Sequence, residues 1–331
     1  MPIDPHPGFL PPFWLRDPHL QTIWPTLFPR KGCIPWRRER LELQDGDFLD
    51  LDWWTGGAGR VVILSHGLEG NSRRPYMEGM ARACRARGWD VVSWNFRGCS
   101  GDPNRLCRSY HSGATEDLAA VVTHALDGGR YGQAALVGFS LGGNLTLKFA
   151  CELGTSPGPV CAAAGVSVPC DLQAAAERME GRDCAFYMRR FLRDMGGKMR
   201  AKANQFPGRI RIQALEGMTT FRQFDDAFTA PLHGFRDAQD YWDRCSCGPH
   251  LAQLGIPTLL VNALDDPFLA PACFPMETAG QSPWLHVSAP AKGGHVGFVP
   301  GLFVRGEYWS ETRVADFLTA AAGGNGIPDT K

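Results

Sequence analysis

Nowhere in the 331 residues is there a run of about 18 consecutive apolar positions, so no segment reads as a membrane-spanning helix. A basic excess is missing too. Lys and Arg number 34 and Asp and Glu 34, which leaves no surplus charge for a nucleic-acid backbone. The chain does not open on a positively charged stretch followed by an apolar run, so no secretory signal is read there. Paired cysteine spacings are also lacking. The 11 cysteines are scattered, and the one close pair, Cys245-Ser246-Cys247, has a one-residue gap where a zinc site needs two to four. Free thiols in a reducing cytoplasm, without metal, account for them most simply. No internal repeat is found. What is present is an ordinary globular composition, 44% hydrophobic and 21% charged, in a chain long enough to bury a large core without a disulfide or metal staple.

Residues 1–36 are rich in proline and aromatics: Phe9, Phe13, Trp14, Trp24, Phe28 and Trp36 alternate with Pro11, Pro12, Pro25 and Pro29. Proline denies this segment long helices or central strands, while the rings have much area to bury. An extended arm packed on the core is expected. From Arg38 to Trp54, Leu41 and Leu43 share a face, Asp45-Gly46 marks a turn, and Leu49, Leu51 and Trp53 alternate with Asp50 and Asp52. That pattern predicts an antiparallel hairpin with one wet face.

Short apolar runs then predict buried strands at Val61 to Leu64, Val91 to Trp94, Ala134 to Val137, Ala162 to Val168, Thr258 to Val261 and Trp284 to Val287. Helical patterns between them begin at Pro75, Thr115 and Leu141. Such alternation implies an α/β architecture over residues 37–170 and 251–322, a mostly parallel, doubly wound sheet with helices on both faces. It lapses over residues 171–250, a helix-like, charged and aromatic interval in which Arg209 to Ile212 is the one strand-like run. This interval is expected to be a cap inserted over the carboxyl edge of the sheet. Residues 323–331 are Gly-rich and expected to fray.

Gly138-Phe139-Ser140-Leu141-Gly142 fits G-x-S-x-G, a pattern weak alone but here placed between a predicted strand and a predicted helix. Glycine on both sides of Ser140 suits a sharp turn that lifts a hydroxyl out of the sheet, and the helix start brings N–H groups and a positive dipole end to it. A phosphate-binding turn is the competing reading. It lacks both a Lys-Ser/Thr ending and G-x-G-x-x-G spacing. Ser140 is therefore the candidate nucleophile, with the Leu141 N–H facing a developing oxyanion.

A serine needs a base at neutral pH. His295, in the flexible loop Gly293-Gly294-His295-Val296-Gly297, is the candidate. His286 lies within a predicted strand and suits a structural role. The acid is expected just beyond the strand Thr258 to Val261, where Asp265 and Asp266 compete. Pro267 restricts the backbone of Asp266 and so fixes its side-chain direction. Asp266 is the choice, Asp265 is expected to bond loop amides, and Asp171, one strand earlier, is the rival. After Val61 to Leu64 comes Ser65-His66-Gly67-Leu68-Glu69-Gly70, where Leu68 N–H is the expected second oxyanion donor. His66, preceding the nucleophile, is read as loop support.

Together these segments resemble one family, the YheT-like esterases of the α/β-hydrolase superfamily, bacterial relatives of eukaryotic abhydrolase-domain lipases. The resemblance runs through Asp17-Pro18-His19-Leu20-Gln21-Thr22, the loop from His66 to Gly70, Asn95-Phe96-Arg97-Gly98 and Tyr110-His111-Ser112-Gly113. It continues through the Ser140 turn, Phe228-Thr229-Ala230-Pro231-Leu232-His233-Gly234-Phe235, Asp265-Asp266-Pro267 and Gly294-His295-Val296-Gly297-Phe298. It implies an α/β-hydrolase fold and hydrolysis of a small-molecule or lipid acyl ester without a cofactor. A Ser140–His295–Asp266 triad would serve it, with the Leu68 and Leu141 amides as oxyanion hole. An acyltransferase would use the same residues, and a non-catalytic ligand-binding protein on the same scaffold would usually have lost one of them. Transient contact with a membrane surface and the oligomeric state are left open. Arg97, Asp102, Arg105, His111 and Glu116 are read as structural partners behind the site. The basic run Arg189, Arg190, Arg193, Lys198, Arg200 and Lys202 is read as a solvated helix face.

Overall fold

Val61-Val62-Ile63-Leu64 has no polar position, which suits a strand covered on both sides. In the computed structural model, which describes residues 3–4, 8–30, 32–301, 304 and 306–323, it lies inside a sheet of nine strands. These are β1 (Ile3–Asp4), β2 (Arg37–Glu42), β3 (Phe48–Trp54), β4 (Arg60–Ser65), β5 (Asp90–Trp94), β6 (Gln133–Phe139), β7 (Val160–Val166), β8 (Thr258–Val261) and β9 (Leu285–Ser288). Their order is β1-β9-β8-β7-β6-β4-β5-β3-β2. Strands β4 to β9 are mutually parallel, β1 joins β9 in parallel, and β3 runs antiparallel to both β2 and β5.

Side chains alternate across this sheet. Val62, Leu64, Val91, Val137 and Val261 meet α2 (Pro75–Ala86) and the helix Trp309–Ala322 on one face. Val61, Ile63, Val92, Leu136 and Leu260 face α3 (Thr115–Leu126) and α4 (Leu141–Leu153) on the other. The strand order reverses at β4, since β5 lies on one side of it and β6 on the other. In open α/β sheets the crevice at the carboxyl ends of the strands flanking such a reversal is where ligands bind.

Between β7 and β8 the chain leaves the sheet for five helices: α5 (Leu172–Met179), α6 (Ala185–Gln205), α7 (Phe221–Phe224), α8 (Ala230–His233) and α9 (Ala238–Cys245). A π-helical turn, Asp225–Thr229, joins α7 to α8. The strand-like run at Arg209 to Ile212 forms no strand; a 3-10 turn, Ile212–Leu215, follows it and packs Ile212 and Leu215 against Met195 and Met199 of α6. Two further helices, α10 (Met276–Gln281) and α11 (Trp309–Ala322), flank β9 and close the fold. Of the Gly-rich stretch expected to fray, residues 324–331 lie outside the described residues.

Two expectations are corrected. The arm is not simply extended, because Pro18–Leu27 is a ten-residue helix, α1. Asp17 caps it by accepting the His19 and Leu20 N–H groups, and Pro18 takes the first helical position, where its missing N–H costs nothing. Nor does the wet face of the hairpin extend to both strands: Arg38, Arg40 and Glu42 of β2 are exposed, but β3 is covered. β3 is not an edge strand, and Asp50 and Asp52 are buried. Arg40 forks Asp50 at 2.8 Å through each nitrogen, and Arg38 forks Asp52 at 3.0 and 2.7 Å.

Behind the strand ends, buried Arg97 binds Asp117 at 2.7 and 2.8 Å, Asp47 at 3.0 Å and Asp45 at 2.9 Å. Asp102 pairs with Arg40, Arg105 with Glu42 and Glu116 with Arg108, so these residues hold loops together, as expected.

Candidate active site

β6 delivers Ser140 to the crevice, and α4 starts at the next residue. Ser140 has φ +52° and ψ −122°, a backbone conformation disfavoured for a side chain with a Cβ. The flanking glycines are needed for space. A side chain on Gly138 would overlap the Gly142 carbonyl, and one on Gly142 would overlap the carbonyls of Ser65 and His66. Close approach of β4, β6 and α4, rather than positive φ at these glycines, explains the motif. Asn144 locks α4 from behind: its side chain donates to the Ser112 and Cys245 carbonyls and accepts from Cys247 N–H. The Cys-Ser-Cys segment thus serves as a buttress for this helix.

His295 Nε2 lies 2.9 Å from Ser140 Oγ. Its Nδ1 lies 2.9 and 3.1 Å from the two oxygens of Asp266, which is buried. With Nδ1–H donating to that carboxylate, Nε2 is left to accept from the serine hydroxyl. Asp266 also accepts the Phe268 N–H at 2.9 Å, which holds the carboxylate still. The neighbouring Asp265 turns to the loop, accepting from Gly294 N–H at 3.0 Å with Lys292 at 3.6 Å. The rival Asp171 is spent on capping α5, where it accepts the Ala174 N–H.

His66 is buried away from these groups. Its Nε2 accepts the Phe96 N–H at 3.1 Å and its Nδ1 donates to the Gly67 carbonyl at 2.8 Å. Burial pushes its pKa down to about 3, so it stays neutral and braces the loop carrying Leu68. His286 lies in β9 against the Phe317 ring.

Several supporting groups were not legible beforehand. Thr22 on α1 accepts the His295 N–H at 2.9 Å, and Gln21 clasps Leu15 and Val299 through three hydrogen bonds. Gly294 and Gly297 leave room for α1, since a side chain on either would strike the backbone of Pro18 or Gln21. The signal for α1 was present in Asp17-Pro18, a cap followed by proline. Ser167, at the end of β7, accepts the Val296 N–H at 2.9 Å, and nothing in the sequence marked it.

Glu69, beside Leu68, is held by four contacts from three residues. Tyr110 O–H donates to its carboxylate at 2.6 Å and accepts its N–H at 3.0 Å. Lys198 of α6 pairs with it at 3.1 Å, and Arg74 donates to its carbonyl at 3.0 Å. Burial works against the Lys198 charge, but Cys99 and Glu69 beside it raise its pKa. Among the described residues, five non-glycine residues have positive φ, Glu69, Ser140, Ser167, Val296 and Phe298, and all sit on these loops. Strain of this kind persists where surrounding contacts over-determine the backbone.

Ser140 and His295 face two chambers. The inner one, about 130 Å³, is walled by Leu172, Ala176, Met179, Met195, Phe221 and Leu269, with Leu68 and Leu141 at the serine end. The outer one, about 290 Å³, passes Ile23, Leu27, Arg74, Tyr76, Phe186 and Arg190. The inner chamber is mostly apolar, whereas the outer carries charge. Asp225, on the π-helical turn, touches the inner chamber; burial lifts its pKa to about 7 although Thr229 and Trp242 donate to it.

Residues 60–301 match the family of the alpha/beta hydrolase fold. Over 318 residues the chain is 38% identical to YheT of Escherichia coli (strain K12), to which an esterase activity is ascribed, with 94% of this chain and 93% of that one covered. It is 30% identical over 309 residues to the phospholipase ABHD3 of Mus musculus, with 90% of this chain and 74% of that one covered. Among solved structures, the esterase Pf2001 of Pyrococcus furiosus matches with a TM-score of 0.58 at 16% identity, covering 86% of this chain and 90% of that one. The 2,6-dihydroxy-pseudo-oxynicotine hydrolase matches with a TM-score of 0.57 at 18% identity, covering 94% and 74%. At such identities these two speak for the fold alone. The two sequence relatives carry the assignment further: the chain belongs to the YheT-like family of α/β hydrolases.

Proposed function

We propose that this carboxylic ester hydrolase cleaves medium-chain or lipid acyl esters by a two-step acyl transfer through Ser140, His295 and Asp266. One observation carries the reading: the unbroken line of contacts from Asp266 through His295 to Ser140 Oγ, ending where two chambers meet. His295 Nε2 takes the hydroxyl proton as Ser140 Oγ attacks the ester carbonyl, and Asp266 stabilises the imidazolium. The Leu141 N–H, unpaired within its helix as the first of α4, and the Leu68 N–H receive the oxyanion. His295 then protonates the departing alcohol, and water, activated by the same nitrogen, releases the acid.

The chambers divide the substrate. The apolar inner chamber takes the acyl chain, with room for about four water-sized groups of ~30 Å³ before its walls must move. The outer chamber, with Arg74 and Arg190, takes the alcohol or headgroup. A relative that is a phospholipase favours glycerolipid esters among the candidates.

A fluorophosphonate probe is expected to label Ser140, and a panel of p-nitrophenyl esters to show turnover that depends on chain length. Ser140→Ala is expected to lower turnover by on the order of 10⁶-fold with an unchanged circular dichroism spectrum, the magnitude being that of the subtilisin nucleophile. Labelling at another residue, or an active alanine variant, would remove Ser140 from the mechanism.

A further inference from the structure

Helix α1 is inside out. Its polar Gln21 is buried together with Pro25, while Leu20 and Leu27, seven residues apart on one face, turn outward, with Trp24 between them half-buried against Leu15, Val299 and Tyr308. Leu20 is 38% and Leu27 61% exposed, and Phe28, tilted against Trp24 with ring centroids 4.3 Å apart, is 46% exposed. Leu27 stands on the rim of the outer chamber. On the same rim is Phe186 of α6, 65% exposed. From Phe186 the outward face of α6 continues through Arg189, Arg190 and Arg193, at steps of three, four and seven residues, all exposed. Arg182 lies just before that helix.

Of the acids nearby, Asp17 caps α1, Asp183 pairs with Arg178 at 2.6 Å, and Asp194 pairs with Arg193 at 2.9 Å and Arg190 at 3.8 Å, while Glu180 stands exposed beside the arginines and offsets one of their charges. Among the described residues Arg182 and Arg189 are in no ion pair. With 34 charges of each sign over the whole chain, this positive edge is local.

We propose that this face, the outward stripe of α1 with Phe186 and the arginine edge of α6, docks on the surface of an anionic lipid bilayer and presents the outer chamber to it. Apolar side chains surrounded by arginine are the composition that settles at a headgroup boundary, and each arginine near such a surface adds to the attraction. The charge complementarity is direct, and the patch is continuous with the mouth leading to Ser140. A lipid ester then enters without crossing water, its acyl end passing to the inner chamber and its headgroup staying beside Arg190. Docking inverts the usual cost of α1, because the residues it exposes to water become the residues it buries.

The proposal rests on reading the site as a lipid ester hydrolase, and the test separates the two. The intact protein is sedimented with phosphatidylcholine vesicles and with vesicles containing phosphatidylglycerol, while hydrolysis of soluble p-nitrophenyl butyrate is followed in parallel. Wild type is expected to pellet with the anionic vesicles only, and to be released by high salt. Leu20→Asp with Phe28→Asp is expected to abolish pelleting. Arg182→Gln with Arg189→Gln is expected to weaken it on the order of thirtyfold, from two charges near the surface. Both double variants are expected to hydrolyse the soluble ester at the wild-type rate. Equal pelleting by wild type and both variants overturns the docking face. So does a dimer in solution that Leu20→Asp with Phe28→Asp dissociates, because the stripe then belongs to a second copy of this chain. Wild type that binds vesicles yet leaves the soluble ester intact refutes the esterase reading and not the docking.

Discussion

Two adjacent carboxyl groups with different jobs are the sharpest feature at the scale of single residues. Asp266 meets the imidazole of His295, while Asp265 meets a loop amide and Lys292. Asp266→Asn is expected to leave the geometry intact but favour the wrong imidazole tautomer. Turnover should then fall by roughly 10⁴-fold, the size seen for the equivalent change in trypsin, with little change in melting temperature. Asp265→Asn is expected to do the reverse, lowering the melting temperature while retaining most turnover. Steady-state kinetics and thermal melts on the pair decide it: a larger loss of turnover in Asp265→Asn exchanges their roles. The choice was legible in the sequence because Pro267 constrains the residue before it. The role of Thr22 was not, because a threonine in a proline-rich arm shows nothing of a backbone 273 positions away.

Among the elements, α6 does more than roof the inner chamber. Its basic run divides: Arg189, Arg190, Arg193 and Arg200 face outward, whereas Lys198 and Lys202 turn in, Lys198 to Glu69 and Cys99 and Lys202 to the Leu106 carbonyl. The strand and helix pattern of the sheet was readable from apolar periodicity, since parallel strands buried on both faces show as unbroken runs. The inward turn of two lysines was not readable, because a charge pattern alone does not say which face of a helix meets a buried acid. Through Glu69, Lys198 ties the roof to the residue beside Leu68. Lys198→Met is therefore expected to lower kcat roughly tenfold with KM little changed, a fraction of the hundredfold or more that follows loss of an oxyanion donor outright. Lys198→Arg should restore most of it. Equal losses in the methionine and arginine variants, or a change confined to KM, would contradict the positioning role.

At the scale of the whole molecule, three packed-in histidines are held neutral. His66, His111 and His233 are each pushed down to about 3, first by burial and then by neighbouring positive charge. A depressed pKa means that the unfolded chain binds the proton more readily. Their contribution is therefore complete above about pH 6.5 and drains away as the pH falls toward about 3. Buried Asp225, lifted to about 7, works in the opposite sense, favouring the folded state as its carboxyl protonates below about pH 7. His286 and the lowered carboxyls of Asp47, Asp50 and Asp52 side with these histidines, and the raised carboxyls of Asp117, Asp265 and Glu311 side with Asp225. The histidines, shifted far and losing their contribution over this range, give a net loss on acidification. Melting temperature is expected to fall steadily from about pH 7 to about pH 4, and to fall more steeply in Asp225→Asn, which removes the opposing slope. A flat profile over that range would count against it.

The clasp between Thr22 and the backbone of His295 has a consequence for assembly. His295 lies 155 residues after Ser140, and its loop bonds back to α1 near the start of the described chain, so the contact between the two needs distant segments docked together. Chemical competence is thus expected to require long-range docking that helix formation alone does not supply. Reactivity at the serine becomes a timer for completed folding, which a refolding chain should regain after its helical signal has already returned.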